Sequence, residues 1–419
     1  MKISRKDIEL MAPVGSFESL AAAIQAGADS VYFGIEQLNM RANSSNNFST
    51  DDLKEIIAIA QKNNVKTYLT VNTILYDHDL ILMKRIIDTA KHSGVTAVIV
   101  SDQAAINYAS QKGVEIHIST QVNVSNVETL KFYARFADVV VLARELSLKQ
   151  VKYITDTIKK EQIKGPSGEL IRIEIFAHGA LCMAISGKCY LSLHEQNSSA
   201  NRGACLQTCR KPYTVIEKES GFELEVDNEY IMSAKDLCTI SFIDKILDAG
   251  VSVLKIEGRG RPPEYVKTVC EAYNKAIDMY VSGNFEAKKA KLLEEDLKTV
   301  FNRGFWDGYY LGRKLGEWSE VYGSKATKRK IYIGRGTNYF TNIKVAEFLA
   351  ESESLSVGDK IIITGPTTGV IETRVNEIHV DRKTVNKTKK GDKFSIKIDK
   401  IVRRSDKLYK LVDTEFAKK

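Results

Sequence analysis

The apolar positions of this chain fall into two alternating patterns through its first 260 residues. Short β-rich runs appear at 9–14 (ELMAPV), 30–34 (SVYFG), 66–72 (KTYLTVN), 97–102 (AVIVSD), 115–121 (EIHISTQ), 139–144 (VVVLAR), 172–179 (RIEIFAHG) and 252–258 (SVLKIEG). Between most of them lie amphipathic stretches such as SFESLAAAIQAG and TDDLKEIIAIAQKNN. Their apolar residues recur at i, i+3 and i+4, and Gly or Asn ends them as helix C-caps require. Strands that are nearly all apolar and alternate with helices predict a parallel sheet covered on both faces. Eight is the number that closes a (β/α)₈ TIM-like barrel. An open doubly wound sheet is the alternative, but no G-x-G-x-x-G opens a helix after a strand, and Gly258-Arg-Gly260 followed by Arg-Pro-Pro does not fit that pattern.

Beyond residue 283 the pattern changes. A charged helical stretch leads into FNRGFWDGYYLGRK (301–314), and a boundary is expected near GSKATKRK (323–330). Short strands with Gly and Pro turns then predict a small β-barrel. The expected division is therefore 1–283 for the barrel, 284–323 for a helical and Gly-aromatic connector, and 324–419 for the β domain. Charge divides the same way. Residues 324–419 carry 22 Lys and Arg against 12 Asp and Glu, so of the whole-chain totals of 61 and 53, residues 1–323 hold 39 and 41. A basic β domain suits the phosphates of a nucleic acid; a merely solubilising Lys-rich surface is the plain alternative.

Composition adds the chemistry. Five of the six cysteines lie between Cys182 and Cys238, spaced Cys182-x6-Cys189-x15-Cys205-x3-Cys209-x28-Cys238. With no apolar run of about 18 residues and no signal-peptide core at the start, the expected setting is the cytoplasm, with no membrane. Clustered thiols there serve more often as ligands or catalysts than as disulfides. Structural zinc favours close cysteine pairs, which only Cys205 and Cys209 provide, and the wider intervals lean toward an iron–sulfur cluster. Reduced thiols packed as small hydrophobes are the bland reading, and it fits Cys270, on the apolar stripe of EYVKTVCEAYNKAI.

The cysteine-rich segment, about 180–240, falls between the seventh and eighth strands. Active sites of such barrels lie at the C-terminal strand ends, where Asn72, Asp102, Gln121, Arg144, His178, Glu257 and Arg259 gather, with His117 and Glu174 inside strands. Singly each suits solvation or a salt bridge; together they describe a polar mouth. Hydrolytic signatures are missing: there is no G-x-S-x-G elbow, and His194-Glu195 is followed by QNSS rather than completing H-E-x-x-H. A dyad of His178 with Cys182 stays open.

The stretch EIFAHGALCMAISGKCYLS (174–192) resembles the signature of the peptidase U32 family, the collagenase-like proteases, with further matches at NRGACLQTCRKPY, SAKDL, LKIEGRGRPPEYVKTVCEAYNKAID and NRGFWDGYYLG. The β domain resembles that appended to members related to the tRNA hydroxylation protein TrhP. The resemblance covers roughly residues 8–315. It implies a [4Fe–4S] cluster on Cys182, Cys189, Cys205 and Cys238, with Cys209 as the competing fourth ligand. It implies an iron–sulfur RNA-modifying enzyme, hydroxylating the tRNA wobble uridine to 5-hydroxyuridine without oxygen and with prephenate as co-substrate. The expected catalytic residues are His178, Glu174, Arg144 and Glu257; Lys255, Arg259, Gln121 and Asn72 would bind substrate, with the cations taking a small anionic metabolite. The tRNA would be held through the basic domain. A U32-type peptidase and a non-catalytic RNA-binding or redox-sensing protein are the alternatives.

Overall fold

A computed structural model describes residues 4–42, 47–213, 232–312, 317–321 and 323–415. Arg313 and Lys314 of the Gly-aromatic run, and the last four residues of the basic domain, lie outside the described residues.

The eight sequence runs become β1 (Glu9–Pro13), β2 (Ser30–Phe33), β3 (Lys66–Val71), β4 (Ala97–Val100), β5 (Glu115–Ile118), β6 (Val139–Val141), β7 (Arg172–Gly179) and, after a short β8 (Asp236–Cys238), β9 (Val253–Ile256). β1 to β7 pair in parallel in chain order, and β9 pairs with both β7 and β1 to close an eight-stranded barrel. β8 stands outside that ring. It runs antiparallel against the end of β7, with His178 opposite Cys238, and carries β10 (Phe305–Trp306) on its other edge.

Helices α1 (Phe17–Gln25), α2 (Asp52–Lys62), α3 (Leu80–Ser93), α4 (Gln103–Gln111), α5 (Val127–Ala134) and α6 (Leu148–Glu161) follow successive strands. α7 (Leu191–Gln196) lies in the cysteine-rich excursion, and α8 (Ile243–Asp248), α9 (Pro263–Val281) and α10 (Ala287–Lys298) complete the set. Their apolar faces and the outer sheet face form the main core, including Leu10, Phe33, Leu69, Ile118, Val140 and Ile277. Cys270 is fully buried there, as its place on an apolar stripe predicted.

The barrel lumen departs from the apolar strand pattern. Met11, Tyr32, Tyr68, Ile99 and Val253 pack inside it, but so do Glu9, His117, Glu174 and Lys255, all buried. Glu9 accepts from Tyr68 Oη at 2.7 Å and pairs with Arg172 at 3.0 Å and Lys66 at 3.1 Å. Burial alone would raise its pKa, but the Arg172 and Lys66 charges outweigh burial and hold it near 2. The His117 ring packs on Tyr68 at 4.4 Å, and its Nδ1 lies 3.8 Å from Glu174.

The C-terminal strands are β11 (Lys328–Phe340), β12 (Val345–Ala350), β13 (Lys360–Gly365), β14 (Gly369–Arg374), β15 (Ile378–Val380), β16 (Lys383–Val385), β17 (Lys393–Lys397) and β18 (Lys407–Asp413). They form one antiparallel sheet, ordered β14-β13-β18-β11-β12-β17-β15-β16. The expected small barrel is thus a curled sheet: among the described residues no ladder joins its edge strands. The 355–359 loop bonds to both Val375, beyond β14, and Asn386 and Thr388, beyond β16, which draws the edges together. Its core holds Ile333, Phe348, Ile363, Phe394 and Leu408. The sheet docks on the barrel's α1 side. Gln25 donates to Thr368 O at 2.6 Å and accepts from Val370 N at 3.0 Å, and Lys330 pairs with Glu264 at 2.8 Å.

Candidate active site and thiol cluster

Residues 180–210 of the excursion fold back over the C-terminal end of the barrel and help enclose a cavity of about 170 Å³. That is the face where barrel enzymes carry their chemistry. Two glycines allow the close approach. Gly179 at the end of β7 has φ +106°, and a Cβ there would meet Glu257 O; Gly187 has φ +74°, and a Cβ there would meet Gln121 Oε1.

Cys182, Cys189, Cys205 and Cys209 all line this cavity. Burial raises the Cys189 and Cys209 thiols above their ordinary range, and Arg210 partly offsets this at Cys209. Cys238 is not brought to them. Because β8 pairs along the flank of β7, its side chain turns toward Tyr273 of α9 and toward Glu294 and Lys298 of α10, where burial pushes its thiol up to about 12. The four thiols are a suitable donor set for a cluster that takes four thiolates. No three His, Cys, Asp or Glu among the described residues are grouped to hold a metal ion.

The same lining is strongly cationic: Arg41, Arg144, Arg210, Lys255 and Arg259 share it with the carboxylate of Glu257. Arg41 pairs with Glu257 at 2.7 Å, and Tyr32 Oη lies 3.1 Å from the same carboxyl. Burial would raise the Glu257 pKa, but Arg41 and Arg144 overcome burial and bring it to about 2. Lys255 Nζ donates to Glu174 Oε1 at 2.8 Å and sits 4.5 Å from the Tyr32 ring centre. Burial lowers Arg259 to about 10; it donates to Thr70 Oγ1 at 3.0 Å. The Arg144 guanidinium lies 3.9 Å over the Phe176 ring. Among the described residues, Thr120 Oγ1, Gln121 Oε1, Arg144 Nε and Thr208 Oγ1 are buried without a hydrogen-bond partner, and all four residues line the cavity. Buried polar atoms are nearly always bonded, so four unpaired ones set this wall apart from the rest of the core.

The other expected site residues divide. Asn72 and Gln121 line the cavity, Asn72 donating to Ser119 Oγ at 3.2 Å. Glu174 lies beneath it, reaching it through Lys255. His178 does not line it: the ring is caged by Tyr265, Tyr273 and Phe305, and burial, aided by the Arg261 charge, lowers its pKa to about 3. Asp102 caps α4 through Ala104 N at 2.9 Å and accepts from Leu75 N at 3.0 Å. Arg41, Tyr32 and Arg210 were missed by the sequence reading. Tyr32 is inside a strand, Arg41 is in a turn and Arg210 ends a single 3-10 turn, so no periodicity marks them.

The model of Peptidase family U32 matches residues 15–320. A protein of Porphyromonas gingivalis described as a collagenase is 60% identical over 96% of this chain and 98% of its own length. The tRNA hydroxylation protein P1 of Bacillus subtilis is 32% identical, covering 87% of this chain and 85% of its own. The 23S rRNA 5-hydroxycytidine C2501 synthase of Escherichia coli is 30% identical over 89% of this chain and 56% of its own. A family match over most of the chain, seated on a barrel with this thiol-lined mouth, has one reading: the protein is a member of peptidase family U32.

Proposed function

We propose that this protein is an RNA-modifying hydroxylase that installs 5-hydroxyuridine at the tRNA wobble position in the cytoplasm. The observation that carries the reading is one cavity lined by both four cysteines and five cations. Relatives named for tRNA and rRNA hydroxylation, at 32% and 30% identity, support it. A four-iron cluster on Cys182, Cys189, Cys205 and Cys209 would supply one-electron chemistry that side chains lack. Arg144, Lys255 and Arg259 would hold an anionic co-substrate of the prephenate type, since guanidinium forks match carboxylates. Glu257, ionised and fixed by Arg41, orients the cation set. Gln121 and Asn72 offer amide groups to an extruded base, and the basic C-terminal sheet would grip the RNA backbone.

The test is nucleoside mass spectrometry of tRNA from a deletion strain, complemented by the wild-type gene or by a Cys182→Ala variant. The reading expects loss of the hydroxyl mass, restored by the wild type alone. An unchanged nucleoside profile in the deletion strain overturns it.

The peptidase reading has its own support, the 60% identity to a protein described as a collagenase. Against it, a cysteine nucleophile is commonly activated by a neighbouring base, and among the described residues no histidine lines the thiol cavity. Purified protein that cleaves gelatin, and stops doing so as Cys182→Ala, would establish this reading instead.

A further inference from the structure

Beside the thiol cavity, and sharing Arg41, Ala180, Gln207 and Glu257 with it, lies a second recess of about 80 Å³. Arg261 and Arg303 line it together with the backbone of Gly258 and Gly260. Its position in the fold is informative. Ala180 follows the seventh barrel strand, and residues 258–261 follow the eighth and lead into α9. The loops after strands seven and eight are where barrel enzymes most often bind a phosphate.

Among the described residues, three arginines share two carboxylates at this recess. Arg303 meets Asp236 at 3.3 Å, and Arg41 meets Glu257 at 2.7 Å. Arg261 has no hydrogen bond or ion pair from its guanidinium among the described residues. It lies instead 3.5 Å from the Phe301 ring centre, and Arg303 lies 5.2 Å from the same ring. Two guanidinium groups on one aromatic ring repel each other; burial lowers the Arg261 pKa, the Asp236 charge opposes this without cancelling it, and Arg303 and Arg41 add to the lowering. Such crowding of cations is costly unless an anion shares them. Gly258 keeps the loop low: a Cβ there would meet Tyr265 Cε1 at 2.6 Å.

Phe301 lines a cleft with Pro262, Glu264, Lys328, Arg329 and Lys330, where the basic sheet meets the barrel. Glu264 is already taken by Lys330.

We propose that Arg41, Arg261 and Arg303 form a phosphoryl-binding subsite next to the reaction cavity, which takes the phosphodiester flanking the modified nucleotide. The phosphodiester assignment rests on the RNA reading above; the phosphoryl subsite does not. Lys328, Arg329 and Lys330 would carry the strand away from it.

The experiment is calorimetric titration of the full-length protein with inorganic phosphate, with ribose 5-phosphate as a monoester, and with the dinucleotide UpU against uridine. The same titrations are made on Arg261→Gln and Arg261→Lys, with thermal melting of each. Loss of one charge-assisted hydrogen bond weakens binding by at least about tenfold. Phosphate binding that falls this far in Arg261→Gln, and is largely kept in Arg261→Lys, supports the subsite. Preference for UpU over both uridine and ribose 5-phosphate, lost in the same variant, adds the phosphodiester. Phosphate and monoester binding without any UpU preference leaves the subsite standing and removes the RNA strand from it. Absence of phosphate binding, or binding indifferent to Arg261→Gln in a protein that melts like the wild type, overturns the proposal whatever the tRNA analysis shows.

Discussion

Lys255 Nζ and Glu174 Oε1 form a 2.8 Å ion pair inside the barrel, with Lys255 as the roof of the lumen and part of the cavity floor. Burial would raise the Glu174 pKa, but the Lys255 charge, with help from His117, keeps it below its ordinary value. The pair thus joins the packing of the barrel to the charge of the site. Removing one partner of a buried pair leaves the other uncompensated, at about 3–5 kcal/mol. Lys255→Ala is expected to lose stability of that size in urea unfolding. Lys255→Met combined with Glu174→Gln should recover most of it without recovering activity. Full stability in the single variant would show that Glu174 is not charged in the fold.

The lumen also sets an acid limit. Glu9 has its pKa drawn from 4.5 to about 2 in the fold. A depressed carboxylate contributes stability that is complete above its unfolded value and is lost as pH falls through the folded one. The window is therefore about pH 4.5 down to pH 2, and the contribution is about 3 kcal/mol. Glu9→Gln should flatten the stability curve across that window. A curve parallel to the wild type would assign the acid sensitivity elsewhere.

The thiols separate by position. Protein purified without oxygen should carry about four irons per chain, one [4Fe–4S] complement. Cys209→Ala is expected to lose most of that iron and Cys238→Ala to keep it, because only Cys209 shares the cavity with Cys182, Cys189 and Cys205. Iron and acid-labile sulfide content, with an absorption spectrum, make the comparison. The opposite ranking would return Cys238 to the ligand set.

Docking of the C-terminal sheet turns on Gln25, which bonds to both Thr368 O and Val370 N. Gln25→Ala removes two hydrogen bonds, about 1–2 kcal/mol in total. It should loosen the sheet from α1, giving earlier proteolysis between residues 323 and 327 with the barrel intact. Unchanged proteolysis would place the docking strength in the Ala22, Ile362 and Val370 contact instead.

Much of this architecture was legible beforehand because it rests on local pattern. Apolar runs such as AVIV at β4 and VVV at β6 mark strands buried on both faces, and amphipathic spacing marks α1 and α2. The thiol spacing announced a site between the seventh and eighth strands. What spacing cannot carry is direction. Cys209 and Cys238 are equally eligible along the chain, and only the antiparallel pairing of β8 with β7 turns Cys238 toward α10. His178 is similar: its strand end suggested a catalytic base, while Tyr265, Tyr273 and Phe305 enclose it. The charged lumen was equally hidden, since Glu9, His117, Glu174 and Lys255 lie on four strands and meet only when the sheet closes. The sequence by itself determined the eight barrel strands, the helix faces, the basic β domain and the cysteine-rich excursion, all set by neighbours within a few residues. Barrel closure alone decided which thiols share a cavity and which arginines crowd one ring, because those contacts join residues tens to hundreds of positions apart.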